Sequence, residues 1–208
     1  GIFGDHSPGF ANEYLRNCDF LICLGISLLQ HQVGNLQKNF APKAKIIFVN
    51  NNLNECKRAK KQFGKRLEYY NTDIYSFMKS LNKKSFIKSI SNYPKINQKK
   101  YFKIQNSPVR VLKLIIEKID PKNSIIFSDA GATLSWTYQA ANLIKNCAPI
   151  FTAFNLHPMG YANCAAIGSA IAIKKKIYVI IGDGSLPMNS QELSWAKQFD
   201  IKFIVIDN

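Results

Sequence analysis

The stretch Ile177–Asn208, IYVIIGDGSLPMNSQELSWAKQFDIKFIVIDN, reads as strand, glycine turn, helix, strand. Ile177 to Ile181 is a short apolar run, and Gly182-Asp183-Gly184-Ser185 breaks it. Asn189 stands at a helix N-cap position with Glu192 three residues on, a capping-box pattern. Leu193, Ala196 and Phe199 give that helix an apolar stripe; Ile201 to Ile206 is the next strand, and Asn208 closes it. Strands joined by a right-handed helical crossover run parallel, so Asp183 and Asn208 both emerge at the carboxyl edge of the sheet. Open α/β sheets bind their ligands at that edge. A carboxylate and an amide oxygen are hard donors suited to Mg²⁺ beside phosphate oxygens. Gly182 and Gly184 let backbone N–H groups approach a diphosphate, and the following helix aims its positive end at the same place. A plain βαβ crossover with a Gly-Asp-Gly turn would show the strands without the chemistry.

This stretch resembles the cofactor signature of thiamine diphosphate enzymes of the acetolactate synthase and pyruvate decarboxylase type, which runs from GDG to an Asn-Asn pair. MNSQEL after the turn strengthens the match. The resemblance implies thiamine diphosphate and Mg²⁺ as cofactors, with Asp183 and Asn208 as metal ligands and Gly182, Gly184 and Ser185 lining the diphosphate. Asp207 stands where the family has the first Asn of its pair, and the spacing between the two ligands is about two residues shorter than in relatives.

Two upstream segments resemble the same family. In FTAFNLHPMGYANCAAIGSAIA, Met159-Gly160-Tyr161 and Ala165-Ala166-Ile167-Gly168 keep a glycine-rich pattern. There the resemblance implies that Met159 props the bound cofactor in a bent conformation; read alone, Met159 is a core residue. The small residues that follow suit a helix packed tightly on a sheet. His157 either offers a proton donor or acceptor to the site or stands as a capped turn residue, the second being the expectation. SIIFSDAGATLSW gives a strand ending at Ser128-Asp129, after which Gly131, Ala132 and Thr133 would touch the diphosphate from the other side. Asp129 also fits an N-cap for the helix carrying Trp136 and Tyr138.

The start of the chain has a different character. DFLICLG and KIIFVNN are short apolar strands, and Ala11, Leu15 and Cys18 fall at helical spacing before them. This alternation predicts a small parallel α/β unit. It is similar to the central domain of the same enzymes through Cys23-Leu24-Gly25, Gly34 and Ala41-Pro42. Some relatives bind a flavin there with arginines in the loop after Leu-Gly. Here Ser27 and His31 occupy those positions and Asn50 replaces an acidic residue, so a structural domain without flavin is expected.

The fold class expected is α/β, with two parallel-sheet domains. A central Rossmann-like domain (1–82) is followed by a Lys-, Asn- and Ser-rich linker (83–107) and a thiamine diphosphate-binding domain (108–208), incomplete at its C-terminal end. VRVLKLIIEKI opens the second domain as an amphipathic helix. The net charge of +15 invites a nucleic-acid reading, but only four arginines contribute (Arg16, Arg58, Arg66, Arg110) and the lysines are dispersed. No specific nucleic-acid binding is expected. The five cysteines lack metal-type spacing and read as buried reduced thiols, which implies a cytoplasmic protein. His6 and His31 are isolated and suggest no zinc site. No run is long enough for a membrane-spanning helix.

The resemblance implies an enzyme, a transferase or lyase that adds to a 2-oxo acid, releases CO₂, and either frees an aldehyde or joins the remainder to a second carbonyl. Acetolactate-synthase-like carboligation is the first expectation and decarboxylation the second. The activating glutamate belongs to a pyrimidine-binding domain with no counterpart in these 208 residues, so no catalytic residue is assigned and a fragment or a reduced homologue is expected. Shared cofactor sites in the family imply a homodimer or homotetramer. The contrasting reading is a non-catalytic interaction domain that keeps the fold.

Overall fold

The computed structural model describes residues 3, 4, 6, 7, 9–81 and 107–207. The chain divides into two compact units, Ile2–Phe102 and Lys103–Asn208.

In the first unit, helix α1 (Phe10–Asn17) leads to strand β1 (Phe20–Leu24), the short helix α2 (Gln30–Val33) and strand β2 (Lys45–Asn50). Helix α3 (Leu53–Phe63), strand β3 (Leu67–Asn71) and helix α4 (Ile74–Ser80) follow. The strands are parallel in the order β1-β2-β3, with Phe20 opposite Lys45 and Ile46 opposite Leu67. The central strand β2 buries Ile46, Phe48 and Val49 completely. A parallel pair needs a crossover, and α3 supplies one between β2 and β3. The Asn52 side chain caps it by accepting the Asn54 N–H at 2.9 Å, and Gly64 ends it at φ +59°. Cys56, Ala59 and Phe63 form its single buried stripe. The sequence reading placed α1, β1 and β2; it did not anticipate α3, β3 or α4.

The second unit opens with helix α5 (Pro108–Ile116), capped by Ser107, whose hydroxyl accepts the Val109 N–H at 3.2 Å. Strand β4 (Ser124–Ser128), helix α6 (Ala132–Ala141), strand β5 (Ile150–Phe151), helix α7 (Tyr161–Ala172) and strand β6 (Lys176–Gly182) follow. A 3₁₀ run (Leu186–Glu192), helix α8 (Leu193–Ala196) and strand β7 (Ile201–Ile206) complete the order. The four strands are parallel, in the order β5-β4-β6-β7. Because β4 and β6 are central they are covered on both faces, which is why they read as continuous apolar runs. Ile126 and Ile180 pack with Leu112 and Ile116 of α5; Ile125, Phe127, Val179 and Ile181 pack with Ala162 and Ala166 of α7. Each fully buried aliphatic side chain contributes roughly 1.5–3 kcal/mol. The α/β class with two parallel sheets is as the sequence predicts.

Two local expectations are corrected. The helix expected from Asn189 is reduced to a 3₁₀ run with a break at Asn189 (φ −132°, ψ 41°) and one α-helical turn at Leu193–Ala196. Asn189 caps nothing there; its amide donates to the Gly160 carbonyl at 3.2 Å. Asp129 does not cap α6, whose N-terminus has no side-chain cap. Its buried carboxylate accepts N–H groups from Gly160 and Ala162 at the start of α7 instead. In both cases a partner across the fold wins over the local cap. A fully buried carboxylate needs more donors than one local turn supplies. Apart from Ser107, the expected linker lies outside the described residues. Among the described residues no helix is long and apolar enough to cross a membrane.

Candidate functional site

The parallel strands of the second unit bring three chain segments to one edge. These run from the end of β4 into α6 (Asp129–Thr133), precede α7 (His157–Gly160), and run on from the end of β6 (Gly182–Asn189). Such an edge gathers loops from different strands, which is how an open α/β sheet builds a site.

The turn after β6 is held by the Asp183 N–H, which donates to the Ile206 carbonyl at 3.0 Å, and by the Ser185 N–H, which donates to the Gly182 carbonyl at 3.1 Å. Asp183 is thereby fixed beside the end of β7. Asn208, the second expected metal ligand, lies outside the described residues, two positions beyond Ile206. Asp183 and Gly184 are exposed, whereas Gly182 and Ser185 are buried. A Cβ built on Gly182 would stand 3.3 Å from Thr133 Oγ1, so the segments after β4 and β6 touch there.

Met159 is half exposed, and its Cε methyl lies 3.7 Å from where a Cβ on Gly184 would be. The residue expected to prop a cofactor and the glycine expected to line its diphosphate therefore meet. Met159 is not a core residue. His157 adopts a left-handed backbone (φ +47°), donates its N–H to Ala153 O at 2.9 Å and sets its ring edge-on to Phe154 at 5.6 Å. That is the geometry of a turn residue.

After β4, Gly131 (φ +79°) and Ala132 are exposed at the N-terminus of α6; a Cβ on Gly131 would meet open space. Thr133 is buried. The α6 amides carry no side-chain cap, which leaves a positive helix end at the edge. The Asp129 carboxylate accepts from Ala130 N–H at 2.6 Å, Gly160 N–H at 3.0 Å and Ala162 N–H at 3.3 Å. Burial pushes its pKa up from the ordinary carboxylate value, and the three backbone donors oppose that rise.

In the first unit, the loop after β1 buries Leu28 completely, at φ +49°. Arg58 of α3 reaches it, donating through Nη2 to the Ser27 carbonyl. Sequence reasoning missed this arginine because it enters from another element. Its guanidinium also pairs with Glu55 at 2.9 Å, which holds the Glu55 carboxyl below its usual range, and donates to Gln62. Asn50 is buried at the end of β2 and accepts the Asn52 N–H at 2.9 Å. Among the described residues no group of three or more His, Cys, Asp or Glu side chains is placed to hold a metal.

Residues 129–208 match the family described as "Thiamine pyrophosphate enzyme, C-terminal TPP binding domain". The chain is 28% identical to a probable acetolactate synthase large subunit of Methanococcus aeolicus, over 99% of its own length and 38% of the relative. It is 27% identical to the mitochondrial acetolactate synthase of Schizosaccharomyces pombe (100% of the chain, 34% of the relative). To the isozyme 2 large subunit of Escherichia coli the identity is 26% (100% and 38%). The chain thus spans little more than a third of the length of these relatives. The resemblance read from its motifs is borne out: along its length the chain is similar to acetolactate synthases, and residues 129–208 match a thiamine diphosphate-binding domain.

Proposed function

We propose, from that similarity, that this chain is part of a thiamine diphosphate- and Mg²⁺-dependent enzyme acting on a 2-oxo acid, and that its second unit holds the cofactor's diphosphate. The observation that carries the reading is the meeting of Asp183, Gly184 and Met159 at one exposed sheet edge.

The residues present fit the group. Gly184 leaves room under the Met159 methyl that a Cβ would fill, and Gly131 turns the chain into α6 at φ +79° with open space in front of it. Asp183 is an exposed hard-oxygen donor, suited to Mg²⁺ shared with phosphate oxygens. In this reading Asp183 and Asn208 hold the metal. The α6 N-terminus at Gly131, Ala132 and Thr133 would hold the diphosphate from one side, with Gly182, Gly184 and Ser185 lining the other. The Thr133 hydroxyl stays inward against Gly182. Met159 presents an apolar surface that excludes water from one side of the cofactor, and His157 contributes the turn that delivers it.

When bound, thiamine diphosphate supplies a nucleophilic carbon for addition to the 2-oxo acid and for acceptance of the electron pair left by CO₂. Carboligation of the acetolactate synthase kind is the favoured outcome, with simple decarboxylation second. The activating glutamate would come from outside this chain. A homodimer or homotetramer is proposed, because the exposed apolar side chains of Leu156 and Met188 beside the site call for a covering surface. The five cysteines are unpaired, which suits a reducing compartment, and the cytoplasm is the compartment proposed, although only Cys23 and Cys56 are buried as expected and Cys164 is exposed.

The test uses the full-length protein. Thiamine diphosphate should raise its melting temperature by several degrees only when Mg²⁺ is present, because a ligand that binds the native state alone stabilises it by mass action, about 2.7 kcal/mol at a hundredfold excess over Kd. Asp183→Ala should abolish the metal-dependent part. An undiminished shift in that variant would remove Asp183 from the metal site. No shift in the wild type, and no turnover of any 2-oxo acid, would favour a non-catalytic domain.

A further inference from the structure

We propose that Asp129 and Asn189 are positioning residues that grip Gly160 from two sides, at its N–H and at its carbonyl, and so set where Met159 stands over the glycine turn. The inference rests on the assignment of Met159 and Gly184 to the cofactor site and deepens it.

Met159 has little packing to hold it. It is 48% exposed, and its methyl approaches Gly184 from a loop rather than from a helix or strand. An exposed side chain can be presented in one place only if its backbone is fixed. The next residue supplies the fixing. The Gly160 N–H points at both oxygens of Asp129, at 3.2 and 3.0 Å. The Gly160 carbonyl accepts the Asn189 side-chain amide at 3.2 Å. Both hydrogen-bonding groups of one residue are therefore spent on side chains 31 and 29 positions away in sequence.

The glycine itself is required. Gly160 has φ +83°, and a Cβ there would lie 2.6 Å from Asn189 Nδ2 and 3.1 Å from Met188 Cβ. Met188 and Asn189 thus lie against its Cα as well as its carbonyl. Asn189 leaves helical geometry to make this contact, which explains the break in the 3₁₀ run. Asp129 is completely buried at the end of β4 and also accepts from Ala130 and Ala162, so its carboxylate is anchored to the sheet and to the first turn of α7. The segments after β4, before α7 and after β6 are joined at a single residue, Gly160. Any shift of the loop carrying Asn189 moves Gly160, the residue next to Met159.

The clamp separates from a merely structural role by a double-mutant cycle on the full-length protein. Asn189→Asp keeps the shape and removes the donor; Asn189→Ala is the second variant if the first does not fold. Binding of thiamine diphosphate at saturating Mg²⁺ is measured by calorimetry, and amide exchange is followed in the peptide spanning 157–163 without cofactor. Loss of the Asn189 hydrogen bond should weaken binding about tenfold. Exchange in 157–163 should quicken while β4 and β6 stay protected. In a Met159→Ala background the same substitution should change binding by less than about twofold, because the side chain it positions is gone. Unchanged binding in both Asn189 variants overturns the proposal, as does an equal loss with and without the Met159 side chain. Absence of thiamine diphosphate binding in the wild type sinks the cofactor assignment itself, and the positioning role falls with it.

Discussion

At the residue scale, Asp129 is the position where local sequence misleads most and chemistry says most. After a strand and before a helix, it reads as an N-cap for α6; the N–H groups of Ala130, of Gly160 and of Ala162 in the first turn of α7 take its carboxylate instead. Nothing near Asp129 in sequence announces a partner 31 residues on, whereas the Gly-Asp-Gly turn is legible because its own residue types dictate its geometry. The burial has a testable electrostatic consequence. The native state raises the Asp129 pKa above its ordinary value, so the folded protein binds that proton more tightly than the unfolded chain. The stabilisation this provides is fully present below the unfolded pKa, about 3.9, and is lost as pH rises through the native value. Subtracting the unfolding free energy of Asp129→Asn from that of the wild type, by urea titration between about pH 4 and pH 7, should give a difference that falls with pH. A difference that rises would mean that the three N–H donors outweigh the cost of burial.

At the element scale, strands β1, β2, β4, β6 and β7 were legible because each is a β-branched or aromatic run bounded by turn residues. Helices α1, α5 and α7 were legible by period or by their small residues. β3 was not: LEYYN mixes charge and aromatic rings, and only Leu67 of its five residues is buried. α3 was not, since its charged residues outnumber its apolar ones and its buried stripe is only three side chains, Cys56, Ala59 and Phe63. The helix after the glycine turn was over-read, because the capping-box pattern is local and the pull of Gly160 on Asn189 is not. What α3 lacks in apolar content it recovers at its ends. Gly64 has φ +59° and ψ −133°, a region essentially closed to residues with a Cβ, although nothing crowds the space where one would go. Gly64→Ala should therefore cost about 1–3 kcal/mol from backbone strain alone. Asn52→Ala at the other end should cost about 1 kcal/mol. Chemical denaturation of the two variants checks both, and a neutral Gly64→Ala would show that the turn into β3 relaxes.

At the scale of the whole molecule, two surface properties oppose each other. The chain carries a formal net charge of +15, which favours dispersal through self-repulsion. Its carboxyl edge carries apolar side chains that a solvent-facing edge does not need: Leu156 is 87% exposed and Met188 57%, on the same two loops that present Met159 to Gly184. Apolar surface concentrated around a site, with charge elsewhere, marks a place to be covered. In the proposed enzyme that cover is a second subunit bringing the rest of the cofactor's contacts, so assembly and cofactor binding are one event. The full-length protein should then sediment as a dimer or tetramer, and Mg²⁺ with thiamine diphosphate should shift the distribution toward the larger species. The 208-residue chain by itself should self-associate, and do so more strongly as salt screens its lysines, because the Debye length falls to about 8 Å at physiological ionic strength and the repulsion shortens with it. Sedimentation velocity at low and high salt distinguishes this from charge-driven association, which salt would weaken. A full-length monomer that turns over a 2-oxo acid would refute the shared site, since a complete active site would then exist within one subunit and the exposed Leu156 and Met188 would need another partner.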